Sequence, residues 1–278
     1  MSGNHQIEWT TDNSNWNGGY VPTEEDVFTV QDILFRSVLP PELGYAVLDE
    51  AEYWPRLTCK RGGEFESGQY RDIAVRTSAQ NAYKGSQCYM VSPSIPTLCT
   101  SASSTFKIRR IVFKTMSHDQ GWCSETNFCQ PYDGSWTWFE AAIFRGLGKI
   151  GEEENPEEIA EKVLRNDSNV TDKTEDAPFQ VRYPQCDPNE SGAWPLQKNL
   201  RASVVHTTHE VTWRYDDSLT GRAESSVGKL NGLTGSGRGE GFISKLQGGD
   251  RIAVIGKTRF PGWCNFIAKV EIEIYYSV

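Results

Sequence analysis

The sequence predicts a mainly β protein, a jelly-roll β-sandwich with a short helical element near its N-terminus. Three observations carry this reading. Eight or more short runs alternate apolar and polar residues with the two-residue period of a strand. The chain of 278 residues carries 25 Gly and 13 Pro, which separate those runs as turns. Nine Trp, 11 Tyr and 12 Phe supply bulky side chains for the space between two sheets. A helix bundle or a βαβ sheet does not fit this pattern.

Taken in order, residues 1–25 form a polar, Asn/Gly-rich arm with isolated aromatics at Trp9, Trp16 and Tyr20. Residues 26–57 form the helical element. Thr29 can cap a helix through Phe35, and a second helix carries Pro40 and Pro41 in its first turn. On that helix Leu43, Val47, Ala51 and Trp54 recur as one apolar stripe, expected to pack on the sandwich, and Pro55 ends it. Residues 58–278 are the sandwich domain. Strands are predicted at Tyr70–Arg76, Gln87–Val91, Ile108–Thr115, Ser135–Phe144, Phe179–Tyr183, Leu196–Val205 and His209–Tyr215. Two strong strands close the chain, DRIAVIGK and AKVEIEIYYSV, with Val270, Ile272, Ile274 and Tyr276 inward and Glu271, Glu273 and Tyr275 outward. An acidic insertion near 146–176 interrupts the strands, with Glu152–Glu154 as a solvated run and Pro156 opening a short helix.

Composition excludes several classes. Asp and Glu number 37 against 28 Lys and Arg, a net charge of −9 that disfavours nucleic acid as a partner. No run of about 18 apolar residues predicts a membrane span. The N-terminus has neither the charged nor the apolar part of a signal peptide, so the expected location is cytoplasmic. Seven cysteines without a CxxC pair give no zinc ribbon, and their thiols are expected to be reduced. Sequons at Asn166, Asn169 and Asn189 would matter only in a secreted chain.

The candidate chemistry lies between two of the strands, in the turn His118-Asp119-Gln120-Gly121-Trp122. Its groups can bind a polar ligand, with carboxylate and amide on hydroxyls and an indole face against an apolar surface. They can also do structural work, with Asp119 and Gln120 bonding the backbone and Trp122 plugging the end of the sandwich. A second turn, Phe260 to Trp263 with Arg259 and Asn265 beside it, repeats the mixture. The expected ligand-binding set is therefore His118, Asp119, Gln120, Trp122, Arg259, Trp263 and Asn265. A hydrolytic alternative would use His118, Asp119 and Glu140, but no nucleophile elbow or carboxylate dyad accompanies them. His206 and His209 form HTTH, whose odd separation sends the rings to opposite faces of a strand, so no metal or other cofactor is expected. The glycine-rich GSGRGEG (Gly235–Gly241) lacks the Lys-Ser/Thr of a phosphate loop and reads as a flexible connection.

Together, SHDQGW, SWTWFE, the LQKN run, HEVTW, GDRIAV and RFPGWCN resemble fungal intracellular proteins of uncharacterised function, over roughly residues 29–278. The resemblance implies a galactose-binding-like β-sandwich and brings no catalytic residues with it. SVLPPELGYAVLDEAEYWPRL resembles the first helix of an F-box through Leu39, Pro40, Glu42 and Leu43, although the two further helices of an F-box do not follow. These features predict a non-catalytic protein that binds a glycan or a protein segment at its loops. A protein-interaction adaptor is the alternative, and the oligomeric state is left open.

Overall fold

The computed structural model describes residues 7–11, 20–36, 39–63, 70–77, 85–96, 106–125, 127–145, 160, 180–182, 193–218 and 230–278. Two antiparallel sheets face each other. The first holds β1 (Arg56–Gly62), β2 (Ile73–Arg76), β4 (Lys107–His118), β8 (Thr207–Arg214) and β10 (Cys264–Ser277). Its order is β1-β10-β4-β8, with β2 continuing the β1 edge of β10. The second holds β3 (Gly85–Val91), β5 (Thr137–Arg145), β6 (Gln180–Arg182), β7 (Trp194–Lys198) and β9 (Arg251–Thr258), in the order β3-β9-β5-β6 with β7 also on β5. The mainly β sandwich read from the sequence is the observed architecture.

The core sits between the sheets because alternate residues of both point there. Ile111, Phe113, Val211, Trp213, Val270, Ile272 and Ile274 from the first sheet meet Phe139, Ala141, Ile143, Leu196, Ile252 and Val254 from the second. Glu271, Glu273 and Tyr275 point outward as their alternation requires, yet Glu273 is buried. Arg56 and Lys114 cover it at 3.2 and 2.5 Å, which offsets the cost of removing the carboxylate from water. The second sheet's outer face carries a smaller cluster of Cys88, Val91, Ala142, Phe144, Ala253 and Ile255, capped by Ala160 and Ala193. Apart from Ala160, the predicted acidic insertion lies outside the described residues, as do the three sequons, Cys99 and Cys186.

The helical element departs from expectation in two ways. Helix α1 runs Glu24–Arg36, and its cap is Thr23 rather than Thr29. Thr23 Oγ1 accepts from the Asp26 N–H at 3.1 Å while the Asp26 carboxylate accepts from the Thr23 N–H at 2.8 Å. This reciprocal pair satisfies the first turn, and Thr29 sits inside the helix, donating to the Glu25 carbonyl. Helix α2 (Pro41–Glu50) buries Gly44 and Leu48. A Cβ at position 44 would stand 2.6 Å from the Phe35 ring, so glycine permits the close approach of α1. Arg109 and Arg110 then hold Asp49 and Glu52. These anchors rotate Leu43, Val47 and Ala51 toward solvent, and only Trp54 of the predicted stripe is buried, against Val112 and Tyr275.

Elsewhere, β7 ends at Lys198 and the predicted strand does not continue to Val205. Asn199 turns its amide into the interior, and Ala202 adopts a positive φ of 54°. The Gly235–Gly241 segment is also ordered, against the expectation of a flexible connection. The Trp213 and Trp194 indoles donate to the carbonyls of Gly237 and Glu240 at 3.0 and 2.9 Å. A Cβ at Gly239, whose φ is 63°, would lie 2.0 Å from the Trp213 ring, so the loop packs flat on the core.

Substitution should separate the two kinds of apolar position. Phe139→Ala, in the fully buried core, is expected to lower the unfolding free energy by about 3–5 kcal/mol. Val47→Ala, on the outward side of α2, is expected to change it by less than about 0.5 kcal/mol. Urea denaturation followed by tryptophan fluorescence measures both.

Candidate functional site

Strand β4 extends three residues beyond its predicted end, so His118 is its last residue rather than part of the turn. From Ile111 to Ser117 the odd-numbered residues of β4 point inward, which places His118 on the outer face of the first sheet. Its ring stacks on Phe266 of β10, 4.7 Å away and 15° from parallel. Its Nδ1 lies 2.6 Å from the Asp119 carbonyl, an acceptor, so that nitrogen carries the proton.

Asp119 begins the turn and is buried. Its carboxylate accepts from the backbone N–H groups of Gly121 (2.7 Å), Ala202 (2.7 Å) and Ser203 (3.0 Å). Burial pushes this carboxyl above its ordinary range, while the three donors pull it down. The residue thus ties the 119–121 turn to the 202–203 turn. Gln120 is similarly committed: its Nε2 donates to the Trp122 carbonyl at 2.7 Å, and its Oε1 accepts from the Cys264 N–H at 3.2 Å. Asn265 is buried, accepting from Asn199 at 2.9 Å and donating to the Trp138 carbonyl at 3.1 Å. Asn199 completes this interior network by accepting from Ser117 at 2.6 Å and donating to Thr137 at 2.9 Å.

The two turns meet at one end of the sandwich, with the Trp122 ring against Gly262 of the second turn. Trp122 does not plug that end, since 55% of it is exposed. Val204 and Val205 are exposed too, and Val204 lies against Gly121. In the second turn Trp263 is buried, whereas Arg259 is exposed and lays its guanidinium over the Trp136 and Phe260 rings at 5.2 and 5.5 Å. Of the seven residues expected to bind, His118, Trp122 and Arg259 therefore present groups outward. Asp119, Gln120, Trp263 and Asn265 shape the scaffold beneath them.

The hydrolytic constellation is not assembled. Glu140 accepts from the Trp138 indole at 2.8 Å and faces Lys257 at 3.3 Å, on the outer face of the second sheet. His118 is on the outer face of the first, so the whole sandwich separates them. No family model, curated protein or solved structure matches the chain.

One group of residues escaped sequence reasoning. His206, one residue before β8, and Asp72, one residue before β2, converge on His118. His206 Nε2 lies 2.8 Å from Asp72 Oδ1, and His118 Nε2 lies 3.6 Å from Asp72 Oδ2. The imidazoles meet edge to face at 4.7 Å, and Tyr70 leans on His206 at 5.0 Å. The three residues come from separate strands, so no short motif announces them.

The other histidine of HTTH points into the core, as the strand period requires. His209 is buried with its Nε2 2.9 Å from the Tyr132 hydroxyl, and its Nδ1 has no partner among the described residues. Loss of solvation lowers its pKa to about 4. The unfolded chain, with a histidine pKa near ~6.5, takes up this proton first. The His209 contribution is therefore complete above pH ~6.5 and is lost as the pH falls, by an amount on the order of 3 kcal/mol. Stability measured by urea titration from neutral to acid pH is expected to decline less steeply in His209→Gln than in the wild type.

Proposed function

We propose that this protein is a non-catalytic binding protein, a galactose-binding-like β-sandwich that takes a glycan or similar polar ligand at the end where its two aromatic–polar turns meet. The observation that carries this reading is the exposed Trp122 ring above a fully committed polar scaffold. An indole exposed to water, on a residue whose main-chain carbonyl is held by Gln120 and whose ring lies against Gly262, is a preorganised stacking platform. The C–H face of a sugar ring fits such a platform, and the exposed Arg259 adds a hydrogen-bond donor for a hydroxyl or carboxylate. The separation of His118 from Glu140 supports binding over hydrolysis.

Glycan-array screening of the full chain, followed by calorimetry on the best ligand, is the test. Trp122→Ala is expected to weaken binding at least ~10-fold, the scale of one lost aromatic stacking contact. The thermal midpoint is expected to stay almost unchanged, because the ring is mostly exposed. Unchanged affinity in Trp122→Ala, or the absence of any glycan ligand, would overturn this reading.

A second reading, a protein-interaction adaptor, is favoured by one observation. Leu43 and Val47, in the helix that resembles the start of an F-box, stand exposed beside Tyr45. Saturable binding of a purified ubiquitin-ligase adaptor, lost in Leu43→Asp, would support it.

A further inference from the structure

We propose that Asp72, His118 and His206 form a binding site for a divalent first-row transition cation of the zinc class, on the outer face of the first sheet. One ligand atom from each residue is available, and all three lie within 4.8 Å of one another. Ligands at ~2.0–2.1 Å from a tetrahedral zinc stand about 3.3 Å apart. The two carboxylate oxygens of Asp72 each face one imidazole, Oδ1 at 2.8 Å from His206 and Oδ2 at 3.6 Å from His118, so the three residues gather at the scale of a metal shell and side-chain rotation would complete it.

The protonation pattern points the same way. The Asp119 carbonyl fixes a proton on His118 Nδ1, so in the neutral ring the lone pair lies on Nε2, which faces the Asp72 carboxylate. In that form two electron-rich atoms face each other, an arrangement that a metal ion on Nε2 relieves in place of a proton. A ligating histidine oriented through its other nitrogen by a backbone carbonyl is the usual support for a metal-bound imidazole. His206 needs only to move its proton from Nε2 to Nδ1, freeing Nε2 to coordinate while Asp72 turns its oxygen from the N–H to the metal. The three side chains are largely but not wholly covered, at 23%, 12% and 22% exposure for Asp72, His118 and His206. Phe266 and Tyr70 restrict the two rings, so the set is held without being sealed. Two imidazoles and one carboxylate suit zinc, cobalt or nickel better than calcium or magnesium, which prefer all-oxygen shells. Three protein ligands leave at least one coordination position to solvent or to a bound ligand.

The full chain, stripped with chelator and titrated with zinc chloride by calorimetry at near-neutral pH, tests the assignment. One zinc per chain is expected, with magnesium chloride giving no binding heat. Asp72→Asn, His118→Gln and His206→Gln should each weaken zinc binding at least ~100-fold, as befits loss of a direct ligand. Trp122→Ala should leave it unchanged, which keeps this site separate from the aromatic platform. Zinc affinity altered less than about threefold by all three ligand variants would overturn the proposal. So would zinc binding no tighter than magnesium. Should a variant unfold, imidazole nitrogen NMR on the wild type decides: the Nε2 signals of His118 and His206 shift on zinc addition, and their constancy overturns the assignment.

Discussion

The register of β10 is the constraint on which the rest of the molecule depends. This strand of 14 residues lies against β4 on one edge and against β1 and then β2 on the other. Pairing Phe266 with both His118 and Ala74 places His118 and the Asp72 end of β2 on the same face. The shift between Ile267 and Lys269 lets Ile267 and Val270 both reach the core, although strict alternation would separate them. A slip of one residue would turn Glu271 and Glu273 into the apolar space between the sheets and Val270 and Ile272 out of it, so the hydrophobic pattern enforces the register.

At the functional end, the cost of burying polar groups decides which residues can meet a ligand. A buried donor or acceptor without a partner costs about 1–3 kcal/mol, so turns that dip into the sandwich must satisfy their backbone from within. Asp119 does this for three N–H groups, and Asn199 and Asn265 bridge the two sheets between Ser117, Thr137 and Trp138. Groups engaged in this way are unavailable to a ligand. What they supply is rigidity, holding Trp122 and the His118–His206 pair on a fixed base.

The helices follow a similar logic on the opposite flank. Paired charges, Asp49 with Arg109 and Glu52 with Arg110 and Arg214, fasten α2 to the first sheet. Close contact at Gly44 fastens it to α1. The apolar stripe of α2 is left facing water because two independent anchors determine the rotation of the helix, and an amphipathic pattern alone does not.

Sequence by itself determined the fold class, the strand faces and the split of His206 from His209, because strand alternation is a local property that each segment carries with it. It showed the inward set of β10 and the two aromatic–polar turns as separate pieces. The tertiary structure alone decided which polar groups of those turns are spent on the backbone, since hydrogen-bond partners such as Ala202 for Asp119 lie 83 residues apart. It alone brought Asp72 to His118 and His206, from three strands whose adjacency arises only from sheet order. The feature that looked like a local cluster of reactive groups is mostly scaffold, and the Asp72, His118 and His206 group on the outer face is assembled by long-range pairing.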